Sequence, residues 1–168
     1  IDHVMGIIKA YTTRVGQGPF PTELTDSTGE ALRVKGGEFG ATTGRPRRCG
    51  WFDAVVGRHA AAINGVDLWT ITKLDVLDEM PRLRICTSYS CEGRSFKTPP
   101  ADIGLLARCQ PVYEEMPGWM CPTSHLTEFK DVPAAARAYV DRLIELLGGK
   151  LALLSVGPGR ENTLRVGI

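Results

Sequence analysis

The chain has 168 residues, with 20 Lys and Arg against 19 Asp and Glu, a formal net charge of +1, and 43% hydrophobic and 23% charged residues. This length and composition fit one globular domain of ordinary make-up. The near-neutral balance excludes a nucleic-acid binder driven by basic charge, and no run approaches the ~18 apolar residues that a membrane-spanning helix needs.

No basic-then-apolar leader opens the sequence, so secretion is not expected. It opens on Ile1, which points to a piece of a longer chain. The five cysteines (Cys49, Cys86, Cys91, Cys109, Cys121) are odd in number and widely spaced. They fit neither a disulfide framework nor a zinc site and read as reduced hydrophobes in a cytosolic protein. His3, His59 and His125 have no Glu or Cys at metal-ligand spacing, so no metal ligands are assigned.

Val4, Ile7, Ile8 and Tyr11 recur at helical spacing, so the helix-like stretch Ile1–Ala10 predicts an amphipathic helix over Val4–Thr13. Gly16-Gln17-Gly18-Pro19-Phe20-Pro21 cannot continue it. Thr25–Gly50 reads as a long irregular region that closes with Arg45-Pro46-Arg47-Arg48; such a stretch in a compact domain is usually functional. A helix is expected over Trp51–Ile63, stopped by Asn64-Gly65, with His59 as an ordinary helical residue. Asp67–Leu74 and Arg82–Cys91 suit strands, the second turning at Gly93 into a hairpin with Ser95–Lys97. Pro99–Pro111 reads as loop with a short helix, and Val112–Met116 as a short strand.

Pro133 opens the clearest helix, with Val140, Leu143, Ile144 and Leu147 in one stripe and Gly148-Gly149 as its stop. Leu151–Leu154 follows as a buried strand. Helix, turn, strand and glycine-rich loop are the grammar of an α/β sheet with ligands at its strand ends. With no repeat or linker in view, residues 1–168 are taken as part of one domain.

Three places carry chemistry. Thr72-Lys73-Leu74-Asp75 ends a strand, and an aspartate there can accept two hydrogen bonds from a planar ligand edge. Guanine offers its ring N–H beside its 2-amino group; adenine would leave the carboxylate unpaired. Lys73 can lay its stem along a base. The string resembles the guanine-reading motif of GTP-binding proteins, although a surface strand end would account for four letters as well. Ser155-Val156-Gly157-Pro158-Gly159 follows the last strand and can offer backbone N–H donors; the competing reading is an ordinary turn. In Gly40-Ala41-Thr42-Thr43-Gly44-Arg45-Pro46-Arg47-Arg48, glycines admit a close ligand and arginines offer forks for carboxylate or phosphate. That makes a receptor for a small di-acid or a phosphate, against the alternative of a solvated basic loop.

Together these strings resemble the adenylosuccinate synthetase family. The likeness rests on Gly37 to Arg48 with Gly50-Trp51-Phe52-Asp53, on Ala10 to Gly16 with Gly18 to Leu24, and on Thr72 to Asp78. Tyr113-Glu114, Met116-Pro117-Gly118-Trp119 and Ser155-Val156-Gly157-Pro158 with Arg160 extend it. The resemblance implies an α/β, P-loop-NTPase-like sheet with flanking helices, carrying an extra β-hairpin and loops. It implies a cytoplasmic, homodimeric ligase of purine biosynthesis that joins IMP and L-aspartate, with GTP as co-substrate and Mg²⁺ as cofactor. The 6-oxygen of IMP would first take the γ-phosphoryl group, which the aspartate amine then displaces. No nucleic-acid or membrane partner is implied.

Residue by residue, Ala41, Thr42, Thr43, Gly44, Arg45 and Arg47 match the loop that grips aspartate. Val15 and Arg45 match IMP contacts. Arg47, Lys73, Leu74, Asp75, Ser155, Val156 and Gly157 match GTP contacts. The family's Gly-Asp-Glu-Gly-Lys-Gly-Lys phosphate loop, general-base aspartate, catalytic histidine and Mg²⁺ ligands have no counterpart here. The chain therefore corresponds to the family's C-terminal part, with no catalytic residue assigned. It is expected to lack activity alone and to expose apolar edges. The alternative is a non-catalytic guanine-nucleotide-binding module.

Overall fold

The structure, a computed structural model, describes residues 2–167; Ile1, with which the expected helix-like stretch opens, and Ile168 lie outside the described residues. In chain order the strands and helices are β1 (Met5–Lys9), β2 (Thr12–Arg14), α1 (Ser27–Lys35), β3 (Arg48–Gly50), β4 (Phe52–Asp53), α2 (Ala54–Asn64), β5 (Leu68–Thr72), β6 (Arg82–Cys91), β7 (Arg94–Phe96), α3 (Ile103–Arg108), β8 (Gln110–Pro117), α4 (Ala134–Leu147), β9 (Lys150–Ser155) and β10 (Thr163–Arg165). They form a mixed α/β architecture of sheets with flanking helices. Contacts divide the chain into two compact units. The first holds the residues up to Ala10, Gly57–Leu83 and those from Glu115 onward; the second holds Tyr11–Val56 and Arg84–Glu114.

In the first unit the sheet runs β1-β5-β9-β10, with β1, β5 and β9 parallel and β10 antiparallel to β9. Trp69, Ile71 and Leu154 are buried in it, and Trp69 Nε1 donates to the Gly148 carbonyl at 2.7 Å. The helix after Pro133 is α4, and it buries Ala136, Tyr139, Val140, Leu143 and Leu147. Tyr139 Oη donates to the Ala10 carbonyl at 2.7 Å, tying the helix to the chain just past β1.

The expected Val4–Thr13 helix is instead two strands, β1 and β2. Its apolar spacing is not a buried stripe: Ile7 is 72% exposed, on the outer strand of the sheet. Met5 is exposed on that strand too. Pairing decides the conformation, with Met5 to Lys9 in register with Leu68 to Thr72. Gly6 shows why the strand can come so close, because a Cβ there would sit 2.4 Å from the Trp69 ring.

In the second unit β2 pairs antiparallel with β3, and a second sheet runs β4-β6-β7 with β8 also on β6. Its small core packs Val55, Cys86, Tyr89, Cys91 and Cys109 together. All five cysteines are free thiols. The expected helix over Trp51–Ile63 starts three residues later, because Phe52 and Asp53 pair with Ile85 and Cys86. Asp53 Oδ1 then accepts from the amides of Val55 and Val56 (3.0 and 3.2 Å), starting α2 as a side-chain cap.

The region 25–50 is not irregular throughout. It holds α1, capped by Asp26, which accepts from Thr28 N and Gly29 N at 3.0 and 3.1 Å, and it ends in β3. The hairpin at Gly93, the short helix before Cys109, the strand after Pro111 and the strand after Gly149 stand where they are expected, with β8 longer than its expected core.

Candidate functional site

Each of the two units holds one candidate site. In the first unit, β5 and β9 are parallel neighbours, and Ile71 pairs with Leu154. Thr72 and Ser155 therefore finish their strands side by side. Lys73 leaves β5 with φ 61°, a left-handed backbone that a lysine rarely adopts, and Leu74–Leu77 then form a 3₁₀ turn. That sharp exit sets Asp75 in the first turn past the sheet edge, half-buried, while Leu74 is fully buried beneath it.

The turn is anchored from below by Asp78, 6% exposed, whose amide donates to the Asp75 carbonyl at 3.3 Å. Asp78 Oδ1 accepts from Trp119 Nε1 (2.7 Å) and Thr123 Oγ1 (2.9 Å), and Oδ2 accepts from Thr123 N (2.8 Å). On the neighbouring strand end, Ser155 Oγ donates to the Gly157 carbonyl at 2.9 Å, and the Val156 amide donates to Asn162 O at 2.9 Å. The Val156 amide is thus engaged within the protein, which leaves the Gly157 amide as the loop's candidate donor. A Cβ at Gly157 would lie 2.7 Å from the Asn162 side chain, so the loop needs glycine there.

In the second unit, the chain from Phe39 to Pro46 is an exposed loop pinched by a β-bridge between those two residues. The Gly40 amide donates to Arg45 O (2.9 Å), the Gly44 amide to Gly40 O (2.8 Å), and the Arg47 amide to Glu38 O (2.9 Å). Gly44 has φ 63°, which turns the loop. Ala41, Thr42, Thr43, Gly44 and Arg45 are all exposed, and so is Val15 on its own turn.

The three arginines part company here. Arg48 is a structural residue: its Nε and Nη2 form a fork on Glu23 (2.7 and 2.5 Å), its Nη1 donates to Gly18 O at 2.8 Å, and it lies over the Phe20 ring. That fork holds the Glu23 carboxyl below its ordinary value. Arg47 is partly exposed and donates from Nη1 to Glu38 Oε2 at 2.9 Å. Arg45 is exposed on the loop.

Sequence reasoning assigns no role to Glu38, Tyr11 or Asp78. Glu38 is fully buried and accepts from Tyr11 Oη at 2.6 Å as well as from Arg47. No local pattern announces a buried carboxylate of this kind, because its partners lie 9 and 27 residues away. Among the described residues no group of three or more His, Cys, Asp or Glu converges on a point that could hold a metal ion. No helix of the described residues is long and apolar enough to cross a membrane.

The fold is that of an α/β protein whose parallel strands β5 and β9 end side by side, the place where α/β sheets commonly take ligands. A family profile described as Adenylosuccinate synthetase matches residues 1–164. The adenylosuccinate synthetase of Desulforudis audaxviator is 58% identical over 164 residues, covering 98% of this chain and 38% of that protein. That of Gloeobacter violaceus is 53% identical over 166 residues, covering 99% of this chain and 38% of its own length. The solved structure of fully ligated adenylosuccinate synthetase from Plasmodium falciparum superposes with a TM-score of 0.95 at 36% identity, covering 99% of this chain and 40% of that one. The chain belongs to the adenylosuccinate synthetase family, and it spans about two fifths of the length of the relatives it matches.

Proposed function

We propose that the full-length protein carrying this chain joins IMP and L-aspartate into adenylosuccinate, converting GTP to GDP and phosphate. In this reading the chain is the C-terminal part of one domain built on a P-loop-NTPase-like sheet, with the β6–β7 hairpin and the loops as additions. The observation that supports it most is the adjacency of Asp75 and the Ser155–Gly157 loop at the ends of β5 and β9. Asp75 accepts from the guanine N1–H and 2-amino group, the Gly157 amide donates to the base, and Lys73 and Leu74 line the corner, with Ser155 and Val156 holding the loop's shape.

In the second unit, Ala41, Thr42, Thr43 and Gly44 surround the aspartate carboxylates, and Arg45 and Arg47 neutralise them. Arg45 and the Val15 backbone also touch IMP, and Arg47 also faces the GTP phosphates. The 6-oxygen of IMP attacks the γ-phosphorus of GTP as N1 gives up its proton to a base assigned to the rest of the protein, forming a C6–O–P bond as the bond to GDP breaks. The aspartate nitrogen then attacks C6, losing a proton, and phosphate departs with the C6–O electron pair. These residues supply positioning and charge neutralisation, not covalent chemistry. The described residues do not build a Mg²⁺ cage, so no step here runs through that ion; its ligands are assigned to the rest of the protein. We also propose that the 168 residues do not turn over alone and that the full-length protein is a homodimer.

Exchanging Asp75→Asn in the full-length enzyme tests the guanine assignment. An amide offers one acceptor and one donor, which matches the N1–H and 2-oxo group of xanthine and mismatches guanine. Activity with GTP should fall about a hundredfold or more while XTP becomes the better nucleotide. Retention of the GTP preference would overturn the assignment.

A further inference from the structure

Arg47 is fixed at one end and unsatisfied at the other. Its Nη1 donates to the fully buried Glu38 carboxylate at 2.9 Å, and its carbonyl accepts from Arg33 Nε at 2.9 Å. Its Nε is buried and has no hydrogen-bond partner. A buried donor left without an acceptor is uncommon in folded proteins and calls for an explanation. Glu38 is itself fixed, because Tyr11 Oη donates to its other oxygen at 2.6 Å. Tyr11 is buried, and its hydroxyl fills the space where a side chain at Gly36 would stand: a Cβ there would lie 2.2 Å from it.

A guanidinium presents two edges suited to carboxylate, one through Nη1 and Nη2 and one through Nε and Nη2. Glu38 takes the Nη1 end, so only the Nε–Nη2 edge can form a complete fork. The next residue shows how that edge is used in this molecule, since Arg48 grips Glu23 through Nε and Nη2. The same edge of Arg47 lacks its carboxylate.

We propose that Glu38, held by Tyr11, is a positioning residue that sets the Arg47 guanidinium so that its Nε–Nη2 edge receives a carboxylate of the amino-acid substrate. This rests on the reading of Arg47 as a carboxylate receptor. Glu38 and Tyr11 never touch substrate; they act through Arg47 alone. The Nε is closed to solvent, so the exposed loop shifts as the carboxylate enters; binding then supplies the acceptor that the Nε lacks, and the liganded loop is the more satisfied state.

The test measures kcat/KM for aspartate, at saturating IMP and GTP, in the full-length enzyme. The variants are Glu38→Gln, Tyr11→Phe, Arg47→Leu and the two doubles that combine Arg47→Leu with each of the others. Glu38→Gln should lower this value about tenfold and Tyr11→Phe about threefold, through a raised aspartate KM, with the preference for GTP over ITP unchanged. Both effects should disappear in the Arg47→Leu background, because residues acting through one group do not add. Additive losses, or single variants both within about twofold of wild type, overturn the positioning role. If Arg47→Leu itself leaves aspartate kinetics untouched, the carboxylate-receptor reading falls, and the inference with it. Should Glu38→Gln fail to fold, Tyr11→Phe decides, since it keeps the ring and removes one hydroxyl.

Discussion

In the proposed function, the strand-end corner and the arginine loop recognise their ligands by opposite means. The corner is held by structure that exists without a ligand: two parallel strand ends, a left-handed lysine, and a turn pinned by the buried Asp78. The loop is exposed from Ala41 to Arg45 and is closed by backbone bonds at its base, and Arg47, anchored on Glu38, keeps an unsatisfied nitrogen. A rigid acceptor suits discrimination between similar bases, because the wrong base leaves a carboxylate unpaired and nothing nearby can yield. An open loop with unsatisfied donors suits capture of a small flexible di-acid, which completes the loop's own hydrogen bonding as it binds.

The largest expected effect breaks the rigid side of this contrast. Asp78→Ala strands Trp119 Nε1, Thr123 N and Thr123 Oγ1 in a buried setting, and it should destabilise the protein by about 3–5 kcal/mol. Thermal unfolding reads the loss. Kinetics with GTP and ITP should show guanine preference weakened wherever the variant stays folded. A variant as stable and as selective as wild type would show that the corner does not depend on its buried network.

Local signals carry the corner further than they carry the loop. Asp67–Leu74 mixes aromatic, aliphatic and β-branched residues and Leu151–Leu154 is wholly apolar, each with a clear stop, so both strands that bring Asp75 to the Ser155–Gly157 loop can be read from their own residues. The chain start misleads because a short parallel strand with one exposed and one half-buried face can imitate helical spacing, and only its partner β5 settles the matter. The helix α1 escapes a sequence reading for a different reason. It buries only Gly29 and Leu32, so it has no stripe, and its Asp26 cap is the one available sign. Arg48 looks like part of the receptor and proves structural because Glu23 is 25 residues away. The buried pairings of Glu38 and Asp78 join distant segments, and no spacing rule reaches that far.

A middle-sized effect should separate shape from stability in the loop. Gly44 has a left-handed backbone, and a Cβ added there would meet no atom within 4 Å, so Gly44→Ala brings no clash and only the strain of that conformation, about 1 kcal/mol. An exposed loop relieves such strain by changing shape. The aspartate KM should rise severalfold, while unfolding temperature and GTP-over-ITP preference stay close to wild type. An altered guanine preference would mean that the two sites are not independent in the way their separate anchoring suggests.

The smallest expected effect concerns the frame beneath the loop and depends on pH. The Arg48 fork lowers the Glu23 pKa from its ordinary 4.5. A carboxyl whose folded pKa is depressed contributes stability that is fully present above its unfolded value and is lost as pH falls through the folded value. Both side chains are about a quarter to a third exposed, so solvent screening holds the contribution to about 1 kcal/mol. Glu23→Gln should therefore cost that amount at neutral pH, and the gap from wild type should close as the pH drops below 4.5. Chemical denaturation of both proteins across that range tests the sign. A gap that widens in acid would show that Glu23 is held by something other than its charge on Arg48. A gap that closes while the aspartate KM at neutral pH barely moves would place Arg48 and Glu23 in the frame and leave ligand capture to Arg45 and Arg47.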